Sequence, residues 1–248
     1  MNGILYFSGT GNSLYIAKKI QEKLKGQILY IPNYQKTGEE FDKIIIVTPI
    51  YSFGMPKHVY ELLPRLDKNK ELIVIQNYGG MIAGADYLML QYCLKNKLNI
   101  KSIFTLKMPE NFTLTFTVPQ FYLKSVLKKV DKRLEKIIND IQLKNYQLPK
   151  RKKTREKTYF KNMSNWHKIG EEFKVNNQCI QCQKCVQICP VKNIAFENDK
   201  IVFSNKCVAC LGCYHRCPKK AIQYKNHKKK DRYINPNIHE NEIGKDIK

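Results

Sequence analysis

Ile4-Leu5-Tyr6-Phe7-Ser8-Gly9-Thr10-Gly11-Asn12-Ser13-Leu14 runs from an apolar segment, through a loop of small polar residues, into a helical pattern. Leu14, Ala17, Ile20 and Leu24 then recur on one helical side. This reads as strand, polar glycine loop and helix. Further apolar runs at 28–31, 44–47, 72–75 and 103–106 read as strands, and 59–66 and 85–94 read as helices between them. A longer helix over about 121–143 carries Val126, Val130, Leu134, Ile137 and Ile141 at helical spacing, with lysines between them. Strands alternating with helices predict a doubly wound, five-stranded parallel sheet of the α/β class, covered on both faces.

Open sheets of this kind bind ligands beyond the carboxyl ends of their strands, so the loops after strands one, three and four are where chemistry is expected. The first loop offers Ser8, Gly9, Thr10, Gly11, Asn12 and Ser13 at a helix N-terminus. Its glycines let backbone amides turn inward, and its side chains add donors, which suits a phosphate. The third-strand loop contains Pro49, Tyr51, Ser52, Phe53 and Gly54, and the fourth-strand loop Asn77, Tyr78, Gly79 and Gly80. Both pair aromatic rings with glycine, a combination that lays backbone against a flat ring system. A Walker loop is excluded because no lysine follows Gly11 at the required place, and the G-x-G-x-x-G fingerprint fails because Leu14 stands at its third glycine.

Near the other end, eight of the nine cysteines form two copies of C-x2-C-x2-C-x3-C-P, at Cys179, Cys182, Cys185, Cys189 and at Cys207, Cys210, Cys213, Cys217, each followed by proline. A cubane iron–sulfur cluster needs a soft thiolate at each of four corners, and two-residue gaps let one short turn present three sulfurs. The constant interval between the copies marks an internal duplication. In bacterial two-cluster ferredoxins the last cysteine of each run ligates the other cluster. The expected sets are therefore Cys179, Cys182, Cys185 with Cys217, and Cys207, Cys210, Cys213 with Cys189. Structural zinc does not call for the third regular cysteine followed by C-P. A disulfide framework belongs to small secreted domains, and no secretory signal is read here.

The chain has 248 residues and a formal net charge of +23. Its longest apolar run is far shorter than the roughly 18 residues a membrane-spanning helix needs, so the expectation is a cytoplasmic protein without membrane insertion, from an anaerobe or microaerobic cell. The charge is mostly lysine in a chain rich in asparagine, isoleucine and tyrosine, and no aromatic–arginine stripe accompanies it, which argues against nucleic acid. An acidic redox protein, a ferredoxin or an oxidoreductase, is the partner that electrostatic steering favours. Cys93, among Leu88, Leu90 and Leu94, reads as a buried apolar residue. The five histidines, His58, His167, His215, His227 and His239, show no metal-ligand spacing, and His215 is expected on a surface loop.

FSGTGNS after the first strand resembles the FMN phosphate loop of flavodoxins, and the loops at Tyr51 and Tyr78 are similar to those flanking the isoalloxazine. With the cysteine repeat, the whole chain resembles the flavodoxin–ferredoxin fusion proteins of anaerobes. The resemblance implies non-covalent FMN, with Ser8, Thr10, Asn12 and Ser13 around the phosphate and Tyr51 and Tyr78 near the ring. It also implies a flavodoxin-like domain over 1–145 and a small α+β domain with two [4Fe-4S] clusters over 170–227, its repeats meeting near residue 200. A basic, solvated linker over 146–169 and a charged, partly disordered tail over 228–248 complete the expected organisation.

Electron transfer between FMN and the two clusters is the expected function, with no side chain acting as acid or base. A flavin-dependent reductase fed by the clusters is the alternative, with Glu110 and Asn111 as substrate contacts. A redox-sensing or assembly protein is a third reading.

Overall fold

In a computed structural model, which describes residues 1–114, 117–225 and 232–247, the apolar runs become five parallel strands. They are β1 (Asn2–Tyr6), β2 (Gln27–Tyr30), β3 (Lys43–Pro49), β4 (Glu71–Tyr78) and β5 (Ile100–Lys107). The sheet order is β2-β1-β3-β4-β5, the flavodoxin-like doubly wound order, in which the ligand crevice opens between β1 and β3. Register runs Ile4 to Ile28, Ile4 to Ile45 and Ile45 to Ile73 across neighbouring strands. Both sheet faces are covered, so the central strands are continuous apolar runs with Ile4, Leu5, Ile45, Ile46, Ile73 and Val74 fully buried.

Helices α1 (Asn12–Leu24), α2 (Lys57–Leu62), α3 (Ala85–Lys95) and α4 (Gln120–Gln142) connect or flank these strands. Helix α1 lies against β1 and β3 and meets α4, which with α3 packs on β5. The periodic stripe of α4, Val126, Val130, Leu134, Ile137 and Ile141, is buried, and Leu123 and Ile138 are buried with it. Cys93 is buried in α3, where burial pushes its thiol up to about 12.

Residues 150–153 are exposed, as the sequence implies, with Lys152 paired to Asp86 at 2.8 Å. The rest of the expected linker is not a bare connection, although many of its side chains are exposed. It forms α5 (Glu156–Ser164) and α6 (Trp166–Glu171), which deliver Tyr159, 0% exposed, and Trp166, 4% exposed, to the main core. Two aromatic residues seven apart bury enough surface to anchor a segment that otherwise reads as charged.

The cysteine region is built from small pieces: β6 (Phe173–Val175), α7 (Lys184–Gln187), β7 (Ile194–Glu197), β8 (Lys200–Phe203), α8 (Gly212–His215) and β9 (Ile222–Tyr224). β6 pairs with β9 and β7 with β8, both antiparallel. The duplication extends to the backbone. Left-handed residues recur at the 28-residue interval of the cysteines, Gln181 with Ala209, Gln183 with Leu211 and Lys192 with Lys220.

The tail corrects another expectation. His227 lies outside the described residues, but from 232 to 247 the chain folds back over the sheet. Tyr233, Asn235, Ile238 and Ile243 are buried, and Ile247 exchanges backbone hydrogen bonds with Ile28 at 2.8 and 3.0 Å. An edge strand leaves a row of amides and carbonyls unpaired, and the tail satisfies part of that row on β2. The Asp246 carboxylate accepts from the Tyr30 amide as well. Among the described residues, no helix is long and apolar enough to cross a membrane.

Candidate functional site

The crevice holds a cavity of about 510 Å³, within the range of small-molecule sites. Its lining brings together Asn12 after β1, Pro49, Tyr51, Ser52 and Phe53 after β3, and Asn77, Tyr78, Gly79 and Gly80 after β4. The loop after β3 makes a tight turn: Tyr51 and Gly54 exchange backbone hydrogen bonds at 3.0 and 2.9 Å. Ser52 and Phe53 between them are both left-handed, at φ 48° and 72°. Such a conformation is costly for a bulky residue and persists only where its surroundings hold it. Here the Arg155 guanidinium lies 4.8 Å above the Phe53 ring. Gly54 itself faces away, against the Tyr159 ring.

Residues 109–112, after β5, supply the opposite wall. They approach so closely that a Cβ on Gly79 would stand 2.4 Å from the Glu110 Cα. Glu110 is engaged locally, its carboxylate accepting from the amides of Asn111 and Phe112 at 2.9 and 2.8 Å. The roof is Trp166, in edge contact with Tyr51 at 6.1 Å, together with Asn162, Asn165 and Ile169. None of these four was legible as a site residue, because nothing in the spacing of α5 and α6 distinguishes a cavity wall from a linker.

Of the first loop only Asn12 reaches the cavity; Ser8, Gly9, Thr10, Gly11 and Ser13 lie behind it, buried. Their side-chain oxygens act as acceptors: Ser8 from the Gly11 amide at 2.9 Å, Thr10 from Asn111 at 2.7 Å and Ser13 from Asn77 at 2.8 Å. A hydroxyl whose lone pair is occupied keeps its own hydrogen to give. Asn12 Oδ1 accepts from Tyr233 and Asn235, and its amide group donates to the Pro109 carbonyl. Helix α1 begins at Asn12, so the amides of its first turn lack intrahelical acceptors. A helix start that opens on the cavity at Asn12 fits an anion such as a phosphate, with the three hydroxyls behind it bracing the loop.

The cysteines line two further cavities. One is bounded by Cys179, Cys182, Cys185 and Cys217, the other by Cys189, Cys207, Cys210 and Cys213. Each takes three cysteines from one repeat and the fourth from the other. Backbone amides point at sulfur in both: Asn193 to Cys189 at 3.2 Å, Ala221 to Cys217 at 3.2 Å and Ala209 to Cys207 at 3.4 Å. Among the described residues no three His, Cys, Asp or Glu converge on a single-ion site. Four cysteines at each cavity, three from one short turn and one from the other repeat, are the soft donor set that a cubane takes. Burial pushes the Cys185 thiol up to about 11 and Cys210 up to about 12, so holding these thiolates takes a bound cation.

The two halves meet at the first loop. A Cβ on Gly9 would stand 2.1 Å from the Cys210 carbonyl oxygen, which only glycine permits. Cys210 and Leu211 line both the 510 Å³ cavity and the second cysteine cavity. His215, expected on the surface, is 2% exposed at this seam. Its Nε2 meets the Asn111 carbonyl at 2.8 Å, its Nδ1 accepts from the Tyr233 amide at 3.1 Å, and burial pushes it down to about 4. Nδ1 thus carries no proton and Nε2 is the donor.

Comparison with known proteins agrees with this division. A family model for a flavodoxin domain matches residues 3–87, and one for a 4Fe-4S dicluster domain matches residues 178–222. The chain therefore carries a flavodoxin domain followed by a 4Fe-4S dicluster domain. Together these mark an electron-transfer protein of the flavin and iron–sulfur kind. Among solved structures, it is similar to Fusobacterium nucleatum flavodoxin bound to flavin mononucleotide, at 19% identity over 59% of this chain and 98% of that one, with a TM-score of 0.43. Two-electron reduced Megasphaera elsdenii flavodoxin is 20% identical over 42% of this chain and 85% of its own, with a TM-score of 0.37. No curated protein matches.

Proposed function

We propose that the chain exchanges electrons between an FMN in the 510 Å³ cavity and two [4Fe-4S] clusters in the cysteine cavities. The observation that carries this reading is Cys210, whose loop is a wall common to the flavin cavity and one cysteine cavity. Asn12, which alone of its loop reaches the cavity, faces the phosphate at the start of α1, Ser8, Thr10 and Ser13 brace that loop from behind, and Tyr51, Phe53, Tyr78 and Trp166 enclose the ring and exclude water. Cys189, Cys207, Cys210 and Cys213 hold the inner cluster, beside the flavin, and Cys179, Cys182, Cys185 and Cys217 hold the outer one. FMN supplies two-electron and one-electron chemistry, whereas each cubane supplies one-electron chemistry only. No side chain transfers a proton in this account. Anaerobic reconstitution should yield one FMN and about eight irons per chain; a chain that binds neither sinks the reading. An acidic redox protein is the partner this basic chain favours by steering.

A flavin-dependent reductase for a small molecule is the second reading, supported by residues 109–112 forming a cavity wall. Quinone or nitro-compound turnover faster than free FMN would favour it, and exchange confined to one-electron protein carriers would not.

A further inference from the structure

The strongest unused group in the molecule is a buried cation. Arg216 ends α8, between Cys213 and Cys217, and is 5% exposed. Among the described residues it forms no ion pair: Nη2 donates to the Glu240 backbone carbonyl at 3.0 Å, and Nε has no partner. The Glu240 carboxylate is paired with Lys184 instead. A guanidinium taken out of water without a carboxylate is costly unless another negative charge answers it, and it stays protonated at any working pH.

Its neighbours indicate where that charge lies. Arg216 and Cys189 share the wall of an 870 Å³ groove between β2, the first cysteine run and the tail. Cys189 belongs to the set assigned to the inner cluster, and although Cys217 of the outer set follows Arg216 in the chain, no outer-set cysteine lines that groove. The duplication sharpens the point, because 28 residues earlier the first repeat has Ile188. One of two otherwise equivalent loops carries a buried cation, and the other a hydrocarbon.

We infer that Arg216 is the built-in counter-cation of the inner cluster, stabilising its reduced form and separating the potentials of two clusters that the duplication would otherwise make alike. The inference rests on the electron-transfer reading. One-electron reduction adds one negative charge to the cluster, and a fixed positive charge in a low-dielectric interior favours that state. No proton or further reactant is needed for the balance beyond the electron donor, which is dithionite in the test.

The test is a potentiometric titration of the full chain, loaded with FMN and iron, followed by paramagnetic resonance. Cys182→Ser identifies the outer-cluster signal. Arg216→Gln is expected to disfavour reduction of the inner cluster at least tenfold, 59 mV for one electron, and to move the outer cluster less than half as far. Arg216→Lys, which keeps the charge, is expected to stay within threefold of wild type. An unchanged inner potential in Arg216→Gln, equal shifts in both clusters, or an equal shift in Arg216→Lys overturns the inference. Should Arg216→Gln lose iron, Arg216→Lys decides alone, and a shift beyond threefold with iron and Tm intact overturns it. Failure of the underlying reading would be seen in the wild type, as missing FMN or missing iron, and would remove this inference too.

Discussion

The five-stranded sheet and the cysteine lobe hold themselves together by opposite means. The sheet buries a continuous core in which Ile4, Ile45, Ile46, Ile73 and Val74 see no solvent. The cysteine lobe has strands of three or four residues, helices of four and, among the described residues, a small cluster of Phe173, Leu211, Tyr214 and Ile222 joined by Leu114 from the segment after β5. A domain with that little core needs another source of stability, and metal binding is the usual one. The contrast teaches that the first half is a platform that carries its own core, whereas the second, on the proposed reading, leans on its clusters; they are joined at Gly9 and roofed by Trp166.

Removing iron is the harshest way to break the comparison. Amide exchange over 172–225 should accelerate by several orders of magnitude in the chelated protein while β1, β3 and β4 stay protected. Equal loss in both regions would refute the division. The next largest effect belongs to the roof. Trp166→Ala should cost about 3–5 kcal/mol in denaturant unfolding of the first lobe and weaken FMN retention. As the chain's single tryptophan, Trp166 should also lose fluorescence when FMN binds, and an unresponsive signal would place the ring elsewhere.

A pH effect of somewhat smaller size tests the platform alone. Burial among Phe7 and its neighbours pushes the His58 imidazole down to about 4 from 6.5, and its Nε2 has no partner among the described residues. The folded state therefore disfavours the protonated form, and the unfolded chain binds the extra proton first. Stability should be level above pH 6.5 and fall as pH drops from 6.5 towards 4, by about 3 kcal/mol in all. His58→Leu should flatten that slope; an unchanged slope would remove His58 from the account. Gly9→Ala addresses the seam, where its Cβ collides with the Cys210 carbonyl, and should cost about 1–3 kcal/mol. Faster exchange on both sides of the seam is the expected signature. At the small end, Lys152→Ala breaks a part-exposed pair with Asp86 and should cost under about 1 kcal/mol.

The platform was readable in advance because period and composition do the work there: isoleucine runs become buried strands, and the stripe on α4 becomes its buried face. Glycine and aromatic loops at the strand ends marked the cavity for the same local reason. What escaped is what depends on tertiary placement. Trp166 and Tyr159 sit among lysines in a segment with no amphipathic repeat, so only the packed structure shows them as roof and anchor. Tyr233, Asn235 and Ile247 lie in a charged tail whose order comes from satisfying β2 and the first loop, a partner that local sequence does not name. His215 is buried because the seam closes over it. The 28-residue duplication was visible in the cysteines, but the asymmetry of Arg216 against Ile188 gains meaning only from burial and a missing carboxylate.

The claim at the centre is that the Cys210 loop brings the flavin and the inner cluster into one unit. Anaerobic reductive titration of the reconstituted chain, followed by optical and paramagnetic resonance spectra, tests it directly. The account predicts FMN, about eight irons, and a flavin signal magnetically coupled to one cluster but much less to the other. A flavin signal that relaxes as if isolated, with both clusters reduced, would contradict it.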